Sequence, residues 1–126
     1  AQKILNTETN EIKNLLRSLH ELGPKITVIT DGVIGAYASD GGQSWFMPPY
    51  PDPKPPLERT GAGDAFSATV TSALALGKTL PEALTWGPIN SMSVVQKVGA
   101  QAGLLTREAL EQYLAQAPAD YQPKII

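Results

Sequence analysis

Cysteine is absent from all 126 residues, which excludes disulfides and thiolate metal sites. Histidine occurs once, at His20, so multi-histidine metal centres are excluded and any histidine-dependent triad has a single candidate. Aromatic residues make up only 6% and charged residues 17%, and the net charge of −2 gives no basic surface for nucleic acid. No apolar run reaches the roughly 20 residues that a membrane-spanning helix needs. No signal peptide precedes the first helix, so the expected setting is cytoplasmic. The chain begins at Ala1 rather than Met, however, and an N-terminal region with any targeting signal is expected to have been removed. What remains is an apolar share of 42%, ordinary for a folded domain and enough for a real core.

Along the chain, residues 9–22 carry Ile12, Leu15, Leu16, Leu19 and Leu22 at helical spacing, and Gly23-Pro24 supplies a stop. The β-branched run from Ile26 to Thr30 reads as a strand buried on both faces. Residues 33–38 and 43–47 flank Asp40-Gly41-Gly42, which predicts a hairpin. Prolines crowd residues 48–56, so an irregular surface connection is expected there.

The second half reads as helical. Residues 64–76 are rich in Ala, Ser and Thr, small enough to pack close to a sheet, and Gly77 ends them. Thr79 and Glu82 have capping-box spacing. The helix they open contains Pro88, which predicts a break or kink near Trp86. It is expected to resume through Val94, Val95 and Val98 and to stop at Gly99. Thr106 caps a last helix that ends before Pro118. The elements together predict one layered α/β domain over residues 1–126.

Chemistry concentrates in Thr60-Gly61-Ala62-Gly63-Asp64-Ala65-Phe66. Small residues just before a helix allow bare N–H groups to converge on an anion at the positive end of the helix dipole. A carboxylate follows at once, in Asp64. An anion site beside an acid suits phosphoryl transfer to a hydroxyl: amides stabilise charge on the moving group while the acid accepts the alcohol's proton. A Walker A loop is excluded, because no Gly-Lys-Ser/Thr follows, and Phe66 occupies the third glycine position of a dinucleotide fingerprint. A plain N-cap, with Asp64 merely complementing the dipole, uses the same residues.

The stretch from Thr60 to Phe66 resembles the C-terminal signature of the ribokinase-like, PfkB-type family of carbohydrate kinases, in which Asp-Thr-Thr-Gly-Ala-Gly-Asp-x-Phe is typical. Val28-Ile29-Thr30-Asp31-Gly32 followed by Gly35-Ala36 is similar to the family's strand and turn beside the nucleotide phosphates. Asn90-Ser91 through Lys97-Val98-Gly99-Ala100 resembles its late helix and turn lining the adenine pocket. The resemblance implies a three-layer α/β/α fold, truncated here on its N-terminal side. It also implies ATP and Mg2+ as cofactors and a small sugar or nucleoside as acceptor. Asp64 would be the catalytic base, and the amides of Gly61, Ala62 and Gly63 the anion hole. Thr30, Gly32 and Gly35 would border the phosphates and ribose, with Asn90 near the adenine. A monovalent cation, K+ in many members, would fall to Glu58, Thr60 and carbonyls around residues 99–102. The usual Asp is Glu58 here and is followed by Arg59, which implies weak or absent potassium dependence, with Arg59 partly replacing the ion or else facing solvent. The family's Asn-x-x-Glu motif is missing, since Asn6-Thr7-Glu8-Thr9 has the wrong spacing. A half sheet implies an open edge, and hence self-association or pairing with the missing N-terminal half. A non-catalytic nucleotide-binding module is the alternative.

His20 reads as a surface residue near a helix end, and Asp31, Asp40 and Asp52 read as turn residues. Trp45, Phe46 and Tyr50 suit either hairpin burial or a patch over the nucleotide. Trp86 is expected to fill core space.

Overall fold

Alternation along short antiparallel strands decides which side chains meet which helices. A computed structural model describes residues 1–126. In chain order they form α1 (Gln2–Leu5), α2 (Ile12–Glu21), β1 (Thr27–Thr30), β2 (Ala36–Ser39), β3 (Ser44–Met47), α3 (Ala62–Ala75), α4 (Leu80–Val94), α5 (Arg107–Ala115) and β4 (Lys124–Ile125). The four strands lie in the order β1-β2-β3-β4, each antiparallel to its neighbour.

The register aligns Thr30 with Ala36 and Ala36 with Met47, and likewise Val28 with Ala38 and Ala38 with Trp45. Those side chains share one face. On it Ala36, Ala38 and Met47 join a core with Phe66 and Val70 of α3, Leu84 and Ile89 of α4, and Leu110 of α5. The opposite face carries Thr27, paired with Ser39, and there α2 packs. Helices therefore cover both sides of the sheet, giving the α/β/α layering expected.

Several local expectations are corrected. α2 starts at Ile12 rather than residue 9, because the Thr9 hydroxyl accepts the Glu11 N–H at 3.3 Å and holds a turn ahead of the helix. His20 is half-buried rather than a free surface residue: its Nδ1 lies 2.9 Å from Pro24 O and its Nε2 3.2 Å from Thr27 Oγ1. A carbonyl only accepts, so Nδ1 carries a proton, and the threonine hydroxyl, which can donate or accept, bonds Nε2. His20 thus ties the end of α2 to β1. β1 is not a centrally buried strand. Ile26 lies outside it and is 39% exposed, and β1 has a strand partner on one side only. Beside its open edge runs a groove of about 350 Å³, lined in part by Ile4, Leu19 and Ile26.

The hairpin forms as expected around Asp40, whose carboxylate accepts the N–H groups of Gly42 at 2.9 Å and Gln43 at 2.8 Å. Those two donors, Gln43 first, hold its pKa below the ordinary carboxylate range. Phe46 rests on Tyr37 across the strands, 5.2 Å between ring centres, so hairpin burial accounts for it.

α4 opens on the expected capping box: Thr79 N–H donates to Glu82 Oε2 at 2.7 Å and Glu82 N–H to Thr79 Oγ1 at 3.4 Å. It then runs unbroken through Pro88, against the expected break near Trp86. Pro88 removes the N–H that would bond Leu84 O, a defect that alone costs about 3 kcal/mol. Burial outweighs it, since Leu84, Trp86, Gly87, Pro88, Ile89 and Asn90 are all buried. Gly87 allows this close approach, for a Cβ there would lie 2.7 Å from the Phe66 ring and 2.8 Å from Val70. The helix ends at Val94, short of Gly99, and residues 96–103 continue as turns. Trp86 is buried as expected, with Lys78 Nζ 4.6 Å above its ring. No helix is long and apolar enough to cross a membrane.

Candidate active site

Two glycine turns and the proline-rich connection meet over α4. Between them lies a cleft of about 410 Å³. Thr30, Gly32 and Gly35 of the β1–β2 turn line one part, and Arg59, Ala62 and Gly63 before and within α3 line another. Pro49, Tyr50, Pro51 and Asp52 come from the connection, while Pro88, Ser91 and Met92 come from α4 and Val95 from its C-cap. Of the three aromatics that sequence singled out, Tyr50 alone reaches the cleft. Its hydroxyl donates to Tyr113 O at 3.0 Å, which anchors the connection to α5.

The β1–β2 turn depends on glycine. Asp31 N–H donates to Gly35 O at 2.8 Å, and Gly35 has a φ of 137°. A Cβ there would sit 2.4 Å from Met47 O.

α3 begins two residues earlier than sequence predicts, so Gly61 is its N-cap, with a φ of 82°, and Asp64 lies in its first turn. The Ala62 N–H donates to Arg59 O at 3.3 Å, whereas the N–H groups of Gly61, Gly63 and Asp64 have no acceptor within the chain. Three bare donors thus remain at the positive end of a 14-residue helix. Asp64 is exposed and directly follows Gly63, and its carboxylate makes no hydrogen bond or ion pair in the chain; neither Asp64 nor Gly61 lines the cleft itself.

The preceding segment is fastened to the end of α4. Leu57 N–H donates to Val95 O at 2.9 Å, Gln96 Nε2 to Lys54 O at 3.0 Å, and Ser91 Oγ to Ala62 O at 2.9 Å. Glu58 Oε1 accepts the Gly99 N–H at 2.6 Å, so Glu58 and the turn at residues 99–102 are brought together. Thr60 is exposed. No group of three or more His, Asp or Glu side chains converges anywhere as a metal cage.

Asn90 is not brought to the cleft. Its Nδ2 donates to Thr69 Oγ1 at 2.8 Å and its Oδ1 accepts the Leu105 N–H at 3.0 Å, in the buried layer between α3, α4 and the approach to α5. The reason is helical phase: Pro88, Ser91, Met92 and Val95 recur every three to four residues on the cleft side, and Asn90 lies about 200° round from Pro88. Sequence reasoning missed Pro88 and Met92 as wall residues, although their spacing from Val95 was there to be found. Asn90→Ala is expected to lower folding stability by about 1–3 kcal/mol, by leaving Leu105 N–H unpaired. Denaturant unfolding beside a nucleotide titration checks this, and nucleotide affinity is expected to stay within about twofold.

Comparison with known proteins agrees with the fold. The model of the pfkB family of carbohydrate kinases matches residues 1–107, and the chain belongs to that family. It is similar to the ribokinase of Bacillus subtilis, 36% identical over 94 residues, which cover 75% of this chain and 31% of that protein. It is also similar to the cytidine kinase of Thermococcus kodakarensis, 31% identical over 98 residues, or 78% of this chain and 35% of that one. Among solved structures, Arabidopsis thaliana ribokinase complexed with ribose and ATP superimposes with a TM-score of 0.76 at 28% identity, covering 86% of this chain and 35% of that chain. The chain therefore has the ribokinase-like α/β/α fold, and it spans about a third of the length of these relatives.

Proposed function

We propose that this chain supplies the nucleotide-binding and catalytic-base part of an ATP-dependent kinase acting on a hydroxyl of a small sugar or nucleoside. The observation that carries the reading is the set of three unbonded N–H groups, of Gly61, Gly63 and Asp64, beside a cleft of nucleotide-accommodating size. Thr30, Gly32 and Gly35 border the phosphates and ribose, and Pro88, Met92 and Val95 give the base an apolar wall. Asp64 takes the acceptor's proton as its oxygen bonds to the terminal phosphorus. The bond from that phosphorus to its bridging oxygen breaks, and ADP departs. Charge that spreads over the transferring group meets the free amides at the positive end of α3. Ala62 contributes its place in the turn more than its own N–H, which Arg59 O already engages.

Magnesium, when bound with the nucleotide, neutralises phosphate charge. With no carboxylate cage in this chain, it fits as an ion held mainly by phosphate oxygens and water. For a monovalent cation, Glu58 has one oxygen committed to Gly99 N–H, which supports little dependence on potassium. The open edge of β1 supports further strands pairing there, from the rest of a longer chain or from a second copy.

The test is ADP formation by the protein at its full natural length, supplied with ATP, magnesium and a panel of sugars and nucleosides, in sodium and again in potassium. At least one acceptor is expected to stimulate ADP release, with the two salts agreeing within about twofold. ATP binding without turnover on any acceptor would make the chain a nucleotide-binding module instead. A several-fold rate gain in potassium would contradict the reading of Glu58.

A further inference from the structure

Only two charged residues line the cleft, Asp52 and Arg59, so Arg59 is the sole cation on its wall. It has no carboxylate partner, because the chain's one ion pair joins Arg107 to Glu111. Its neighbour Glu58 makes no ion pair with it and instead accepts the Gly99 N–H at 2.6 Å. The Arg59 carbonyl, accepting Ala62 N–H at 3.3 Å, sets its backbone immediately before the turn that bears the free amides.

A nucleoside polyphosphate brings several negative charges into this cleft, while a helix terminus offers only about half a positive charge. Neutral amides alone leave most of that charge uncompensated. A guanidinium is permanently protonated and presents a planar fork of donors that matches phosphate oxygens two at a time. We infer that Arg59 binds the phosphate chain of the nucleotide and makes affinity depend on how many phosphates it carries. The inference rests on the nucleotide-kinase reading and deepens it.

The experiment compares full-length protein with its Arg59→Gln and Arg59→Lys variants, measuring affinity for ATP, ADP and AMP at low and high NaCl. Arg59→Gln is expected to weaken ATP and ADP by about tenfold or more, the scale of a charge-assisted hydrogen bond, and AMP by less. Its ATP affinity should also fall less steeply with salt than the wild type's, and Arg59→Lys should retain part of the loss. The melting temperature should hold in both variants, since the side chain is exposed and unpaired. If wild type binds ATP and Arg59→Gln binds it equally well, or weakens all three nucleotides alike, the assignment of Arg59 is wrong and the kinase reading survives. If wild type binds no nucleotide, both fall.

Discussion

Asp64→Asn is expected to lower kcat by about 10²–10⁴-fold in the full-length protein while ATP still binds. The amide keeps the shape of the side chain but cannot accept the acceptor's proton. Nothing in the fold depends on the carboxylate, which is exposed and makes no hydrogen bond or ion pair within the chain. Its one structural contribution is to complement the α3 dipole, worth about 0.3–1 kcal/mol at an exposed terminus. Nucleotide affinity is expected to hold or tighten slightly, because a negative charge beside the phosphate path is removed. Single-turnover kinetics and an ATP titration separate the two quantities. A variant that turns over within a few-fold of wild type would remove Asp64 from the chemistry.

Gly61→Ala is expected to cut kcat/KM by more than about tenfold and to cost on the order of 2 kcal/mol in stability. Two independent effects add at this one position. The backbone there has a φ of 82°, which an L side chain adopts only at a penalty. The new Cβ would also lie 2.8 Å from Ala100 Cβ, 2.9 Å from its Cα and 3.0 Å from its carbonyl oxygen. Two of those atoms are backbone, so either the amide turn moves or residues 99–102 retreat and loosen the bond between Gly99 and Glu58. Adding Ala100→Gly removes only the nearest atom and is expected to restore little. Steady-state kinetics with thermal melts of the single and double variants check this. Full activity in Gly61→Ala would mean the turn does not need its observed shape.

What could be read from the sequence was what a few neighbouring residues determine. The Thr79–Glu82 box and the hairpin about Asp40 are each set by side chains within a few positions, and each appears as expected, whereas the Gly61-Ala62-Gly63 turn runs into α3 two residues earlier than expected. Features decided by packing across the chain were misread. Pro88 breaks a helix in isolation, but burial keeps this one continuous. Asn90 looked available for a ligand because its partners, Thr69 and the Leu105 backbone, are distant in sequence. β4 is two residues long and exists only because β3 offers it an edge, and α1 is a single turn, so neither carries a periodic signal. His20 gave no hint of its bonds to Pro24 and Thr27, which depend on how α2 settles on β1. In the candidate site, the glycine turns were visible, whereas the α4 wall required the helical phase that Pro88 obscured.

Amide resonances report most directly on whether the bare donors meet the transferring group. In ¹⁵N–¹H spectra of the full-length protein, ADP with aluminium fluoride, a mimic of the moving phosphoryl, should displace the Gly61, Gly63 and Asp64 amides well beyond the effect of ADP alone. If those three signals stay put while others around the cleft respond, the terminal phosphate lies elsewhere and the proposed chemistry is wrong.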